Sequence, residues 1–584
     1  MLVLLEATRL TMKKISIIVA FLGLIFLFSL NLGIESNSQA TLKLPSILGD
    51  RMVLQQQTDV NLWGWDKPGN TVTVKFRGQE VQTPVEVDGK WQVKIPSGEA
   101  GGPFNLTVEG SKEVTLKDVL VGEVWVAGGQ SNMWWFVSRS DNSKQEISGA
   151  NFPNIRVWDG NSSPRENGWP ADRPQKTVPA QWKLTTPKTV KNFPATAYFF
   201  AKELHQQLNV PIGIVHLAVP NREIETFLSK PLLAANFPET LAFWQLQKDA
   251  KTRPAQLFNG MVYPAIPYTP RGFIWWQGEA NAKEAMQYRT LFPSLIQEWR
   301  SLSGNDNAPF LFVELANFLE KQTYPSEDDP WPRLREAQKE ALKLPNTAMV
   351  STIDILDEND NLSNIHPPNK QLAGKRLFLA AMAKVYGEKD LVWRGPVYRS
   401  VEFQENQAIV TFDSAGKGLK IQGEKLKGFA LAGSNRRFFW ADGKIEGNRV
   451  ILTSEAVKDP VAVRYGWANN PVGNLYNEAD LPAFPFRTDN WLLNWDESRF
   501  EAMSLLELAA YIQRNIQPSE PEIKSVWDEV YQGIKTDNKL LTVQRLQTLI
   551  NQELEDEKLA IALEILLKKL QFLFLLSIEY NRFT

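Results

Sequence analysis

Five short apolar segments that alternate with helical segments between residues 119 and 387 restrict the fold more than any other feature of the chain. The apolar segments span 119–127, 212–219, 272–276, 310–315 and 349–353. The helical segments span 197–208, 285–301, 331–344 and 370–386. Strands this apolar are buried on both faces, and the helices between them supply the crossovers that parallel strands need. The pattern therefore predicts an α/β region with a parallel sheet covered by helices.

Regions typical of β-structure flank this central region on both sides. Short alternating runs at 60–65, 71–76, 91–95 and 104–108, separated by Gly and Pro turns, predict a small N-terminal β-sandwich. Runs at 408–412, 428–432, 449–453 and 462–465 predict a second β-module, and the pattern after residue 491 is helical. The last helix, 558–580, is interrupted by Glu564, Lys568 and Lys569, so we expect it to pack on a partner helix rather than enter a membrane.

The first forty residues have the composition of a secretion signal. Lys13 and Lys14 precede an apolar run at 15–32, and Ser38-Gln39-Ala40 fits a small-residue cleavage site. The alternative is an uncleaved membrane anchor, because the apolar run is long for a signal. In both cases the body of the protein is expected in the periplasm or outside the cell.

A chain of 584 residues is too long for one core, so we expect several domains. The predicted boundaries are a signal peptide at 1–40, a β-sandwich at 41–118, an α/β domain at 119–390, a β-module at 391–490 and a helical tail at 491–584.

Composition excludes several classes of site. The chain has no cysteine, which removes disulfides, cysteine nucleophiles and zinc–thiolate sites from consideration. Its formal net charge of −2 gives no basic surface for nucleic acid. Because cysteines are absent and histidines are scarce, we expect catalysis without a metal. Only three histidines are present, so any mechanism that needs an imidazole must use one of them.

The segment Gly128-Gly129-Gln130-Ser131-Asn132-Met133 follows the first apolar strand. The carboxyl end of a parallel strand is where α/β enzymes place nucleophiles and ligand sites, and glycine lets the backbone turn sharply there. Such Gly-x-Ser turns also occur in ordinary loops, so the segment by itself is weak evidence. It predicts Ser131 as a nucleophile only if a base is also present.

His366 is the best candidate for that base. It lies in a loop just before the helical segment 370–386, next to two prolines that restrict the backbone. His205 falls within a helical segment and is expected at a surface or groove, whereas His216 lies inside an apolar strand and is expected in the core.

The group that orients His366 is left open by the sequence. A common spacing would place aspartate at position 363, which is Ser363 here. The alternatives are Asp354, Asp357 or Asp360 upstream in the chain, or a main-chain carbonyl.

The third apolar strand ends in Trp275-Trp276-Gln277-Gly278-Glu279-Ala280-Asn281. A side-chain amide at this position is able to donate a hydrogen bond to an oxyanion, which makes Gln277 the first candidate and Asn281 the second. We interpret Glu279 as a buried structural ion-pair partner rather than as a catalytic acid. Trp134, Trp135 and Trp276 offer flat faces that suit sugar rings, with core packing as the alternative.

The chain resembles the sialate O-acetylesterase family within the SGNH hydrolase superfamily, over residues 44–489. The motifs that carry the resemblance are 47–55 (Ile-Leu-Gly-Asp-Arg-Met-Val-Leu-Gln), 129–133 (Gly-Gln-Ser-Asn-Met), 259–261 (Asn-Gly-Met), 276–279 (Trp-Gln-Gly-Glu), 365–367 (Ile-His-Pro) and 464–467 (Arg-Tyr-Gly-Trp). The resemblance implies hydrolysis of an acetyl ester on a carbohydrate, with Ser131 as nucleophile and His366 as base. It also implies an SGNH-type three-layer α/β/α core flanked by β-sandwich modules. The resemblance implies no metal and no organic cofactor.

One departure from the family pattern concerns the second strand. Relatives carry Gly-Gly after it, where this chain has Pro220-Asn221 before Ile224-Glu225. A glycine N–H at this strand end contributes to the oxyanion hole in the superfamily, so the expected donors are Ser131, Asn221 and Gln277. Proline has no N–H to donate. Two functions therefore remain open: a secreted carbohydrate O-acetylesterase, and a catalytically degenerate member that binds glycans or serves as a scaffold.

Overall fold

The computed structural model describes residues 41–161, 169–238, 240–241, 244, 253–326, 329–356 and 361–491. In the tail it describes 508–509, 512–513, 521–535 and separate positions between 542 and 567. The predicted signal peptide lies outside the described residues, as does most of the predicted helix 558–580.

The N-terminal region contains six strands in chain order. They are β1 (Val53–Gln55), β2 (Asp59–Trp65), β3 (Thr71–Phe76), β4 (Gln79–Pro84), β5 (Lys90–Pro96) and β6 (Gly101–Glu109). β2 pairs with β5 in an antiparallel two-stranded sheet, and β3 pairs with β4 and β6. All four predicted strands are confirmed, whereas β4 was not predicted because its outward side chains are polar and its inward ones only half-buried.

Strand β7 (Glu113–Gly129) has 17 residues and connects the N-terminal strands with the central sheet. Its first half pairs with β6 in antiparallel fashion, and its second half pairs with parallel strands. β7 therefore runs through the predicted boundary at residue 118, and the two regions share one hydrogen-bonded sheet.

The central sheet contains six further strands. They are β8 (Phe152–Asp159), β9 (Trp182–Thr185), β10 (Ile212–Ala218), β11 (Gly272–Trp276), β12 (Phe310–Val313) and β13 (Thr347–Val350). Their order is β13-β12-β11-β7-β10-β8-β9, and all pairs are parallel except β8 with β9. The predicted parallel sheet is confirmed, with β8 and β9 as additions.

Eight helices belong to the part of the central region that the structure describes. They are α1 (Ser131–Trp134), α2 (Ser143–Ser148), α3 (Pro187–Val190), α4 (Ala195–Leu208), α5 (Lys230–Asn236), α6 (Ala285–Leu302), α7 (Pro330–Lys339) and α8 (Lys370–Lys384). Shorter 3₁₀ turns occupy Val137–Arg139, Ile224–Phe227, Glu279–Glu284 and Glu340–Lys343, and a π-helical turn occupies Phe258–Val262.

The long helices cover both faces of the central sheet. Trp125 and Ala127 of β7 share one apolar cluster with α4 and α8, whereas Val124 and Val126 share the other with α6 and α7. This division follows from the strand geometry, because successive side chains point to opposite faces. The result is a mixed α/β fold with helices on both sides of a large sheet.

The C-terminal β-module contains ten strands among the described residues. They are β14 (Val397–Gln404), β15 (Gln407–Asp413), β16 (Leu419–Ile421), β17 (Phe429–Ala432), β18 (Phe438–Trp440), β19 (Asp442–Glu446), β20 (Arg449–Thr453), β21 (Ala462–Tyr465), β22 (Leu475–Asn477) and β23 (Phe486–Arg487). They form two four-stranded sheets, β14-β15-β20-β19 and β18-β17-β21-β23, and the pair β16-β22.

The described part of the tail is helical, as predicted, and includes α9 (Pro521–Lys535). Its apolar residues form a cluster of their own that Met286 of α6 joins. Among the described residues, no helix is both long and apolar enough to cross a membrane.

Candidate active site

The turn that presents Ser131 depends on a glycine at the end of β7. Gly129 has φ = 132°, and a Cβ there would lie 2.1 Å from the carbonyl oxygen of Trp276. Only glycine fits such a conformation and such a close approach. The N–H of Gln130 then donates to the same Trp276 carbonyl at 2.9 Å, and Ser131 begins α1 with 6% of its surface exposed. Ser131 is therefore held, largely buried, at the carboxyl edge of the sheet.

His366 lies in the loop before α8, and its ring is oriented by Asn364. Asn364 Oδ1 accepts hydrogen bonds from the backbone N–H of His366 at 3.1 Å and from the ring Nδ1 at 2.9 Å. Because the backbone N–H requires an acceptor, the amide oxygen must face the histidine, and Nδ1 must carry the proton. Nε2 is then an unprotonated base, and it has no partner among the described residues.

None of the predicted orienting groups in the described residues contacts His366. Asp354 forms two hydrogen bonds with Arg376, at 2.6 and 2.8 Å, and accepts a third from Tyr476. The prediction for Asp354 is therefore wrong, since its carboxylate is already paired. Asp357 and Asp360 lie outside the described residues.

Asn364 was missed because the prediction considered carboxylates and main-chain carbonyls. The local signal was present, since an asparagine two residues before the histidine is typical of an Asx turn.

Asn132, which follows Ser131, joins the serine turn to the histidine loop. Its Nδ2 donates to Glu279 Oε1 at 2.6 Å and to the carbonyl of Ile365 at 3.0 Å. Its Oδ1 accepts a hydrogen bond from Lys370 Nζ at 2.6 Å, and Nζ also donates to the carbonyl of Pro367 at 2.7 Å. The neighbours of Ser131 and His366 are thus in direct contact. Neither the bonds of Asn132 nor the role of Lys370 was predicted.

The charges around His366 keep the imidazole neutral. Burial, and then the positive charges of Lys370 and Arg139, lower the pKa of His366 to about 4. Burial also lowers the pKa of Lys370 to about 7, against the opposing effect of Glu279. Burial raises the pKa of Glu279. The structure supports the interpretation of Glu279 as a structural group, because Asn132 links its carboxylate to the buried ammonium of Lys370.

Only one of the three predicted sugar-binding tryptophans presents a face to the site. Trp135 is partly exposed and stacks on His366, with ring centroids 4.9 Å apart. Trp276 is fully buried beneath the Lys370 ammonium, and Trp134 is 6% exposed and packs on Phe136. The predictions for Trp134 and Trp276 are therefore wrong, because their rings belong to the core.

The predicted oxyanion donor Gln277 is committed to other bonds. Its Nε2 donates to the carbonyl of Arg222 at 3.2 Å and to Asn281 Oδ1 at 2.7 Å, so both amide hydrogens are used. Asn281 in turn accepts from the N–H of Ile224 and donates to Glu225, whose pKa burial raises to about 7. The structure contradicts direct donation by Gln277, and it directs the Asn281 amide to Glu225. Both side chains instead connect the ends of β10 and β11.

The Pro220-Asn221 turn keeps a backbone conformation that glycine adopts easily. Asn221 has φ = 51°, in the left-handed region that asparagine tolerates better than most residues. Its side chain is exposed, and its carbonyl accepts a hydrogen bond from Arg222. Asn221 therefore preserves the shape of the turn, whereas Pro220 still lacks an N–H.

Each of the two remaining histidines lies outside the site and is hydrogen-bonded through Nδ1, whereas the buried Nε2 of His216 has no partner among the described residues. His216 is buried in β10 and its Nδ1 lies 2.8 Å from Asp159, as expected for a core histidine. His205 is half-buried on α4, and its Nδ1 lies 2.7 Å from the carbonyl of Val210.

Comparisons with known proteins agree on the class of this site. The family model described as "Carbohydrate esterase, sialic acid-specific acetylesterase" matches residues 121–383. Sialate O-acetylesterase of Mus musculus is 30% identical over 513 residues, which cover 76% of this chain and 93% of the mouse protein. The human sialate O-acetylesterase is 29% identical over 487 residues, covering 76% and 91%.

A solved structure supports the same class. The crystal structure of a carbohydrate acetylesterase from Xanthomonas citri superposes with a TM-score of 0.70 at 38% identity, covering 77% of this chain and all of that one. The fold and the site thus define a carbohydrate esterase. The chain belongs to the sialate O-acetylesterase family.

The charge environment of His366 predicts an unusual pH dependence. A neutral imidazole is the active form of a general base, so activity is lost as pH falls through its pKa. Since the pKa of His366 is lowered to about 4, kcat/KM should stay level down to about pH 5 and fall near pH 4. Asn364→Asp places a carboxylate against Nδ1, which should move this acidic fall upward by roughly 1–3 pH units.

Asn361→Ala is the matched control for this measurement. Asn361 Oδ1 accepts the N–H of Ser363 in the same loop, in a turn like that of Asn364, and none of its described bonds reaches His366. The control should leave the pH profile unchanged. If the pH profile of the Asn364→Asp enzyme coincides with that of the parent, Asn364 does not determine the protonation state of His366.

Proposed function

We propose that the protein removes O-acetyl groups from a carbohydrate, with Ser131 as nucleophile and His366 as general base. One observation carries this proposal: His366 has its Nδ1–H bound to Asn364 and its Nε2 unpartnered, in a loop that Asn132 ties to the serine turn. His366 Nε2 is not hydrogen-bonded to Ser131 in this structure, but the two loops are joined through Asn132. A base held in one tautomer in a loop bound to the turn of a strand-end serine is the arrangement that nucleophilic ester hydrolysis needs.

The reaction follows from this arrangement in two halves. His366 Nε2 takes the proton of the Ser131 hydroxyl while Oγ attacks the acetyl carbonyl carbon. The tetrahedral intermediate collapses with cleavage of the C–O bond to the sugar, and His366 returns the proton to the leaving oxygen. Water, deprotonated by the same imidazole, then attacks the acyl-serine, so that acetate leaves and Ser131 regains its hydroxyl.

The developing oxyanion needs donors that are free before the reaction begins. Backbone N–H groups of Ser131 and Asn221 suit this role, because neither donates a hydrogen bond to any residue that the structure describes. Gln277 acts indirectly on this turn, because its amide donates a hydrogen bond to the carbonyl of Arg222, which follows Asn221.

The substrate we propose is an acetylated sugar that stacks beside Trp135. The partly exposed indole and the exposed Arg139 border His366, and the Arg139 guanidinium carbon lies 5.7 Å from the Trp135 ring centroid. The relatives named sialate O-acetylesterase support a sugar substrate of this class. The order of the strands and the helices on both faces support the SGNH type of core.

The N-terminal sequence supports secretion to the periplasm or the exterior. Cleavage after Ala40 would leave a mature chain that begins at Thr41. N-terminal sequencing of the purified native protein checks this expectation, and a chain that retains residues 15–32 would favour the membrane anchor.

The second candidate function is glycan binding without efficient turnover. Pro220 is the observation that favours it, because a proline cannot replace a glycine N–H as an oxyanion donor. Loss of one such donor typically lowers kcat by about 10²–10³-fold.

Replacement of the proposed nucleophile should abolish hydrolysis without unfolding the protein. Ser131→Ala should lower acetate release from an acetylated chromogenic ester by about 10⁴-fold or more, and His366→Ala should have a comparable effect. Ser138→Ala, at an exposed position, is the control. Thermal midpoints close to the parent would show that the fold is intact. A Ser131→Ala enzyme with substantial remaining activity would rule out the assignment.

The effects of Pro220 and Asn221 on kcat can be measured separately. If the missing N–H limits turnover, Pro220→Gly should raise kcat by up to about 10²-fold with little change in KM, because the added bond forms in the transition state. Asn221→Gly should change kcat little, since Asn221 already has the glycine-like φ. An unchanged kcat in a folded Pro220→Gly enzyme would mean that the remaining donors suffice.

A further inference from the structure

A second groove lies away from Ser131, beside the N-terminal strands. It encloses about 930 Å³ between the β2–β5 sheet, the segment 263–271 and the residues 301–305 that end α6. Four prolines of these walls, Pro174, Pro264, Pro267 and Pro270, restrict the backbone around it. Nothing in the mechanism above uses this groove.

One face of the β2–β5 sheet forms its floor. Because side chains alternate along a strand, the register places three pairs side by side on this face. The pairs are Trp65 with Lys90, Trp63 with Gln92, and Asn61 with Lys94. The opposite face carries Trp91, Val93 and Ile95 and belongs to the core. The floor thus combines aromatic rings with long polar side chains, as expected of a ligand-binding surface rather than of a solvated edge.

Two aromatic residues are accessible within the groove. Tyr263 is 42% exposed, and Trp65 is partly exposed. The Lys176 ammonium lies 5.0 Å from the Trp65 ring centroid and covers one face of the indole. Contacts of this kind at exposed sites are weak, so a ligand that stacks on Trp65 can displace Lys176.

The groove has no electrostatic field of one sign. Lys90, Lys94 and Lys176 face it together with Asp59 and Asp88, and no ion pair involves these five residues in the described part of the chain. These five residues carry a net charge of only +1, and such mixed donors and acceptors suit a ligand rich in hydroxyl groups. A polyanion such as nucleic acid would require a basic surface instead.

An unsatisfied acceptor lies in the floor. Asn61 is 7% exposed and donates through Nδ2 to the carbonyl of Pro267 at 3.1 Å, which fixes the orientation of its amide. Its Oδ1 has no partner among the described residues. Buried acceptors are normally hydrogen-bonded, so this oxygen, although it exposes almost no surface, leaves one acceptor of the floor unpaired.

The groove and the active site lie at opposite edges of the central sheet. Arg271 lines the groove and directly precedes β11, whereas Gln277 directly follows it. The catalytic loops occupy the carboxyl edge, so the groove is not an extension of the active site. Strand β2 alone extends over roughly 20 Å, which is enough to contact several consecutive sugar units.

We propose that this groove binds a neutral carbohydrate chain and holds a polymeric substrate on the enzyme. Trp65 and Tyr263 stack on sugar rings, and the lysine, aspartate and amide side chains exchange hydrogen bonds with hydroxyl groups. Retention of one part of a polymer raises the effective concentration of its other acetyl groups at the active site. This binding role does not depend on the roles of Ser131 and His366.

The test measures binding without turnover. In a Ser131→Ala background, affinity gel electrophoresis with neutral acetylated xylan should retard the protein. Trp65→Ala and Tyr263→Ala should each weaken retention by about tenfold, the usual effect of truncating an aromatic anchor. Trp440→Ala and Tyr324→Ala are matched controls, because both side chains are exposed elsewhere, at 38% and 70%, and both variants should be retained like the parent.

Activity supplies a second readout in the enzyme with Ser131 intact. Trp65→Ala should lower kcat/KM on acetylated xylan and leave hydrolysis of a small chromogenic acetate unchanged. Equal retention of all four variants, or a folded parent that the xylan does not retard, would overturn the proposal. Retention by a sialic-acid-rich mucin alone, abolished by salt, would overturn the neutral character of the ligand. If Trp65→Ala fails to fold, Tyr263→Ala tests the wall of the groove and Lys94→Ala tests its floor. Both variants should then be retained less strongly by the xylan than the parent.

Discussion

The buried amide of Asn132 holds the proposed catalytic arrangement together. It contacts three chain segments that are distant in sequence: the histidine loop at Ile365, the strand end at Glu279 and the helix start at Lys370. Its own carbonyl also accepts a hydrogen bond from Thr196 of α4. A primary amide offers two donor hydrogens and an acceptor, and here all are used within a fully buried side chain. Since a buried group left unpaired costs about 1–3 kcal/mol, these bonds fix where the serine turn meets the base.

The same cluster sets the charge that the base experiences. Lys370 is fully buried 4.6 Å from the Trp276 ring centroid, and its ammonium lowers the pKa of His366. A lower pKa keeps the imidazole unprotonated at neutral pH but makes it a weaker proton acceptor. Glu279 supports this effect, because its carboxylate favours the charged form of Lys370. The cluster around Asn132 therefore affects both the protonation state and the basicity of His366.

Strand β7 determines how the regions of the protein are arranged. Its antiparallel half belongs to the N-terminal strands, and its parallel half ends at Gly129, two residues before Ser131. Because every parallel strand points the same way, the loops that follow the strands gather the catalytic groups at one edge. The loops that precede the strands form the other edge, where the N-terminal sheet β2–β5 lies against Pro267 and Thr269. Two separate binding surfaces thus follow from one sheet direction.

The sequence by itself determined the elements whose signals are local. Apolar runs marked β7, β10, β11, β12 and β13, and residue chemistry with the family motifs indicated Ser131 and His366. Strand β8 was not predicted because Pro153 and Asn154 interrupt its apolar pattern. Strand β9 was not predicted because it has only four residues and lies at the edge of the sheet.

Only the tertiary structure decided which groups contact one another. Lys370 and Asn132 are 238 positions apart, and Gln277 is bound by a carbonyl 55 positions upstream. No periodicity in the chain encodes such pairs, so neither the positioning bonds of Asn132 nor the commitment of Gln277 was predictable. Burial of Trp134 and Trp276 was likewise decided by the packing of α4 and α8 against the sheet. The sequence around a tryptophan does not show whether its indole faces a sugar or the core.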